Sequence, residues 1–198
     1  MSKVGLYFGS FNPIHIGHLA IAGYLTEYAG LDQVWFVVSP HNPLKKKETL
    51  LSDHQRLHMV NLAIGDNSKL KATDIEFKLP VPSYTIDTLT YLNEKYSKNE
   101  FVLIMGEDNL NTLHKWKNIK ELINKYSLYV YPRPDSVKPS SPLLDQILSD
   151  ADIHRVEAPL MDISGTFIRE GTKKGKDMSY FLPPAVWKYI MEMHFYKK

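Results

Sequence analysis

Near-continuous apolar runs separated by helix-patterned segments constrain this chain more than any other feature. Val34-Trp35-Phe36-Val37-Val38, residues 101–105 and Leu128-Tyr129-Val130-Tyr131 lack polar alternation, as strands buried on both faces do. With residues 4–8, 70–77 and 153–156 as further strands, helices over 19–29, 53–65, 83–96, 119–125 and 143–148, and a short helix or two turns over 110–116, strands alternate with helices along the chain. Such an order predicts right-handed βαβ units, hence a doubly wound parallel sheet covered by helices on both faces. Helices starting near Ile163 and Pro184 add a small C-terminal helical portion over about 163–198. The 198 residues suffice for one α/β domain. No internal repeat is visible.

The first strand runs into Gly9-Ser10-Phe11-Asn12-Pro13-Ile14-His15-Ile16-Gly17-His18 before the first helix. A strand-to-helix turn of this kind places glycines where backbone approaches a ligand, and aims free N–H groups and the positive helix end at it. Phosphate suits that setting, and two histidines at the helix mouth add cationic or hydrogen-donating groups beside it. A lone His-x-x-His is more often a capped helix with a partly buried histidine. Gly9, Pro13 and Gly17 around this pair favour the functional reading. A zinc site needs further ligands, and no cysteine or metalloprotease-type Glu accompanies the pair.

Composition narrows the function classes. A formal charge of +2 does not suggest the basic surface of a general nucleic-acid binder. With Cys 0, disulfides, thiolate metal sites and a cysteine nucleophile are excluded. Met1-Ser2-Lys3 leads straight into a predicted strand, and no run approaches a membrane span, so the expectation is a cytoplasmic protein that is a monomer or small homo-oligomer.

Ligands of doubly wound sheets sit at strand C-termini. His15, His18, Lys45, Asp108 and Arg133 all follow predicted strands, so one cleft is expected to gather them. Ile163-Ser164-Gly165-Thr166-Phe167-Ile168-Arg169 starts a helix; its plain reading is N-capping by Ser164 or Thr166 and a surface ion pair for Arg169. The plain reading of Trp116 is a core aromatic, and that of Lys46 and Lys47 a solvated charge run.

Together these motifs resemble a known family. Gly-Ser-Phe-Asn-Pro-Ile-His-Ile-Gly-His resembles the signature of the nucleotidyltransferase superfamily typified by nicotinate-nucleotide adenylyltransferases, and residues 163–169 resemble its C-terminal Ile-Ser-x-Thr-x-Ile-Arg. Ser83-Tyr84-Thr85-Ile86-Asp87-Thr88-Leu89, Gly106-Glu107-Asp108 with Trp116, and Tyr180-Phe181-Leu182-Pro183 resemble the adenylyltransferase branch. The loop with Asn42 and Lys45 departs from the order usual in relatives, and Lys117 stands where many have Tyr.

The resemblance implies a Rossmann-like fold. It also implies adenylyl transfer from ATP, with Mg²⁺ on the phosphates, to nicotinate mononucleotide, without nucleic acid or membrane as partner. His15, His18 and Arg169 are the implied catalytic residues. Gly9, Ser10, Phe11, Gly17, Lys45, Gly106, Asp108, Ile163, Ser164 and Thr166 are implied for ATP. Asn42, Tyr84, Thr85, Trp116 and Arg133 are implied for the nicotinate nucleotide. Alternatives are a phosphopantetheine adenylyltransferase and a non-catalytic nucleotide sensor of the same fold.

Overall fold

A computed structural model describes residues 1–40, 50–134 and 141–197. Strands β1 (Ser2–Gly9), β2 (Gln33–Val38), β3 (Leu70–Thr73), β4 (Asn99–Gly106), β5 (Leu128–Tyr131) and β6 (Ile153–Arg155) form one sheet in the order β3-β2-β1-β4-β5-β6. Every neighbouring pair is parallel. The helices are α1 (Ile16–Tyr28), α2 (Asp53–Ile64), α3 (Thr85–Lys95), α4 (Glu107–Leu110), α5 (Ile119–Lys125), α6 (Pro142–Asp150), α7 (Gly165–Lys173) and α8 (Pro184–Glu192). This is the expected doubly wound, Rossmann-like α/β architecture.

Alternation along the strands divides the core into two layers, because successive side chains leave opposite faces of a sheet. Phe36, Val38, Val102, Ile104 and Tyr129 pack with Ile21 and Leu25 of α1, Met59 of α2, Ile168 of α7 and Ile190 of α8. Their neighbours Trp35, Val37, Leu103 and Val130 pack on the other side with Leu89 of α3, Leu122 of α5 and Ile147 of α6. Both faces are covered, so the strands have no solvent face on which to alternate polar residues.

Helix boundaries follow local chemistry. Ser52 accepts the Gln55 N–H at 3.3 Å and starts α2, which ends at Gly65 with φ +53, a left-handed value that glycine adopts at little cost. Ser141 likewise caps α6, accepting the Leu144 N–H at 3.2 Å. One expected strand is shorter than its sequence suggests: β3 stops at Thr73, and Ile75–Lys78 form a 3-10 turn after Asp74.

Strand order reverses direction between β1 and β4, one leading outward through β2 and β3, the other through β5 and β6. Connections therefore diverge to opposite faces above those two strands and leave a crevice at their C-terminal ends. Gly9 and Gly106, the last residues of β1 and β4, stand there.

Candidate active site

The turn after β1 is held open by an aromatic anchor. Phe11 has φ +44 yet is only 2 % exposed, and its ring meets Phe36 at 5.4 Å and His18 at 5.1 Å between centroids. A left-handed conformation costs a non-glycine residue about 1–2 kcal/mol, less than burying a phenylalanine contributes. Gly9 makes room for the anchor: a Cβ there would lie 2.8 Å from the Phe11 ring.

His15 caps the start of α1 and His18 sits one turn in. Their rings stack at 3.7 Å, and the His15 main-chain N–H donates to His18 Nδ1 at 3.3 Å. A nitrogen that accepts carries no proton, so in neutral His18 the proton is assigned to Nε2. His15 is 4 % exposed, and burial, aided by the positive charge of Arg133, lowers its pKa to about 4. At neutral pH it is thus uncharged, and what it can offer is a hydrogen bond and not a charge. Its Nδ1 is buried without a hydrogen-bond partner among the described residues, an arrangement more typical of a functional group than of a packed core. Gly17 keeps its place because a Cβ would come within 3.1 Å of that same Nδ1.

Arg169 reaches this turn from α7. Ser164 accepts the Phe167 N–H at 3.1 Å and so fixes the start of that helix, as its plain sequence reading anticipates. From the helix's first turns Arg169 Nη1 donates to the Asn12 carbonyl at 2.8 Å, and Nη2 to Thr166 Oγ1 at 3.1 Å. Among the described residues the guanidinium forms no ion pair; it spans the two motifs. Gly165 permits the approach, since a Cβ would lie 2.9 Å from the Asn12 carbonyl oxygen. Ile163, the residue before the cap, is half-buried against the core layer of α7.

On the β4 side, Arg133 Nε lies 3.6 Å from Asp108 Oδ1, and its guanidinium sits 5.6 Å from the centre of the Tyr131 ring. A Cβ on Gly106 would collide with Asp108 Oδ1 and approach Arg133 Nε at 3.1 Å. Tyr131 in turn accepts a hydrogen bond at 3.0 Å from Tyr7 on β1, tying the two strand ends across the crevice.

Tyr84 and Thr85 stand at the start of α3, where the Tyr84 side chain makes no capping hydrogen bond; the N-terminal end of a helix favours an anion. Trp116 is half-buried and packs on the α3 side of the sheet. Lys117 links the segments: its Nζ lies 2.8 Å from Asp87 Oδ2 and 4.6 Å from the Tyr84 ring centre. The residue that departs from the family pattern thus joins two elements of the expected acceptor site. Asn42 and Lys45 lie outside the described residues.

Sequence reasoning missed Arg56. It is fully buried, and its five N–H donors are spread over five acceptors: Nε on the Leu51 carbonyl at 3.1 Å, Nη1 on the Ser10 and Ser39 carbonyls, and Nη2 on the Pro40 carbonyl and Asp53. It fastens the turn at Ser10 to the end of β2 and the start of α2. Its signal in sequence is faint, an arginine inside a helix-patterned segment.

A parallel sheet with this strand order, a glycine-lined turn entering the switch-point crevice, and histidine and arginine side chains converging there define a nucleotidyltransferase of the His-x-Gly-His type. The family model "Cytidylyltransferase-like" matches residues 6–171. A "Probable nicotinate-nucleotide adenylyltransferase" of Flavobacterium psychrophilum is 57% identical, covering 99% of this chain and 100% of the relative. The protein of the same name from Flavobacterium johnsoniae is 55% identical, over 99% and 100% respectively. Among solved structures, the Plasmodium falciparum nicotinic acid mononucleotide adenylyltransferase complexed with NaAD superposes with a TM-score of 0.81 at 20% identity, covering 100% of this chain and 98% of that one. The chain belongs to the cytidylyltransferase-like family, in the branch whose curated relatives are named nicotinate-nucleotide adenylyltransferases.

Proposed function

We propose that the protein transfers the adenylyl group of ATP to nicotinate mononucleotide, giving nicotinate adenine dinucleotide and pyrophosphate. A phosphate oxygen of the mononucleotide attacks the α-phosphorus of ATP, a new P–O bond forms, and the bond to the β-phosphate oxygen breaks with its electron pair leaving on pyrophosphate. The nucleophile is already an anion. No general base is required, and the protein's task is alignment and charge stabilisation.

The observation that carries this reading is the convergence of His15, His18 and Arg169 on the turn after β1. In it, the His18 Nε2–H and a neutral His15 donate to the α- and β-phosphates, and Arg169 adds a positive charge beside them. Ser10, Phe11, Gly9 and Gly17 shape the phosphate cradle. Ile163, Ser164 and Thr166 present the start of α7 to the triphosphate, with Lys45 adding charge. Gly106 and Asp108 receive the ribose of ATP. Tyr84, Thr85, Trp116, Asn42 and Arg133 hold the acceptor, with main-chain N–H groups around Tyr84 and Thr85 taking its carboxylate. Mg²⁺ enters as part of the MgATP substrate. Among the described residues no group of three or more His, Asp or Glu stands ready to hold a metal, and no step is assigned to a resident ion.

No described helix is long and apolar enough to cross a membrane; a cytoplasmic setting and a monomeric or small homo-oligomeric state belong to the same reading. Pyrophosphate release with ATP plus nicotinate mononucleotide, run beside ATP plus its amide, tests it. Release with the acid is expected. Release with a pantetheine phosphate alone, or with no acceptor at all, contradicts it.

A further inference from the structure

The C-terminal tail reaches the catalytic turn. After α8 the chain bends through His194 at φ +54 and Tyr196 at φ +62, left-handed conformations that cost non-glycine residues and persist only where surrounding structure holds them. Phe195 between them is 8 % exposed, with its ring 5.4 Å from Tyr189, and supplies that hold. The bend delivers the Tyr196 hydroxyl to Asn12, where it donates to Oδ1 at 2.8 Å across 184 residues of sequence.

Asn12 is 3 % exposed and lies at the centre of several bonds. Its Oδ1 also accepts the Leu51 N–H at 3.4 Å, and its carbonyl is the acceptor for Arg169 Nη1 at 2.8 Å. Burial raises the pKa of the Tyr196 hydroxyl, against the opposing positive charges of Arg169 and Arg56, so it remains a proton donor throughout the neutral range.

We propose that Tyr196 is a positioning residue for adenylyl transfer: its hydroxyl fixes Asn12, and the Asn12 carbonyl fixes the guanidinium of Arg169 at the phosphate cradle. This rests on the reading of Arg169 given above. The tail thereby acts on the reaction through Asn12, without touching substrate.

Tyr196→Phe removes only the hydroxyl and keeps the ring. Steady-state pyrophosphate release from the full chain, for wild type, Tyr196→Phe, Arg169→Lys and the double variant, reads the coupling. The expected result is a kcat about tenfold lower in Tyr196→Phe, the equivalent of one buried hydrogen bond, with KM for both substrates within about twofold. In the Arg169→Lys background the same change is expected to alter kcat by less than about twofold. A kcat unchanged in Tyr196→Phe, a rise in KM alone, or a tenfold loss that persists with Arg169→Lys overturns the proposal. Side-chain NMR of Arg169 supplies a readout independent of turnover: its guanidinium N–H signals are expected to exchange faster in Tyr196→Phe, and unchanged exchange also overturns the proposal. Wild-type protein without pyrophosphate release contradicts the assigned reaction instead, and the NMR comparison then decides Tyr196 by itself.

Discussion

The His15 main-chain N–H donates to His18 Nδ1 at 3.3 Å while the two imidazoles stack at 3.7 Å. One bond thereby fixes the tautomer of neutral His18: Nδ1 accepts and Nε2 carries the proton. Replacing His18 by Ala removes a pre-aligned donor. Loss of a single such donor costs about 10²–10³ in rate, so kcat is expected to fall by that factor while the affinity for ATP changes little. Equilibrium nucleotide binding measured beside turnover separates the two.

His15 is expected to make stability pH-dependent. Its folded pKa of about 4 lies below the ordinary 6.5, so the unfolded chain binds a proton that the native one resists. Its neutral form is fully compatible with folding above about pH 6.5, and stability then falls as pH drops from 6.5 toward 4. The linkage amounts to about 3 kcal/mol at the acid limit. Denaturant unfolding at pH 7.5 and pH 4.5, compared between wild type and His15→Gln, checks this; the variant is expected to lose less stability over the interval.

Gly165→Ala tests the close approach of the two motifs. The added methyl would lie 2.9 Å from the Asn12 carbonyl oxygen and 3.2 Å from Arg169 Nη1. The carbonyl belongs to the backbone of a buried residue and yields little, so the Arg169 contact is expected to break. A fall in kcat of about tenfold or more is expected, with a lower melting temperature. Full activity in this variant contradicts the packing described.

Much of this was legible in sequence because it is local. The bounds of β2 and β5 match the apolar runs at 33–38 and 128–131, and those of α5 match the helix expected over 119–125. The strand expected over 70–77 overran because Asp74, a poor strand residue, sits within otherwise favourable neighbours. The histidine pair and the Ser164 cap were readable from spacing. Arg56 and Tyr196 were not: each acts through contacts many residues away, and nothing in a helix-patterned segment or a chain terminus announces a long-range partner. The link between Tyr84 and Asp87 was not legible either, since it comes from Lys117, a departure from the family pattern.

Arg56 is expected to matter chiefly for stability. Its side chain is fully buried and serves main-chain carbonyls on three segments. Arg56→Met leaves those acceptors and the Asp53 carboxylate without the donor, at a cost of about 3 kcal/mol or more. Arg56→Lys keeps the charge but cannot reproduce the fork. Thermal unfolding of both is expected to show a large drop, with Arg56→Lys the milder.

Lys117→Ala is expected to act on one substrate only. Its ion pair with Asp87 is close to half exposed, so little stability rests on it. The contact with Tyr84 nonetheless steadies the start of α3. A several-fold rise in KM for nicotinate mononucleotide is expected, with KM for ATP and the melting temperature nearly unchanged. Equal rises for both substrates contradict the placement of the acceptor.

Pyrophosphate release from ATP and nicotinate mononucleotide, measured for wild type and His18→Ala at equal concentrations of folded protein, tests the central claim most directly. Acceptor-dependent release by wild type, reduced about a hundredfold or more in His18→Ala, is the expected result. Near-normal turnover in the variant, or wild-type release that ignores the acceptor, contradicts it.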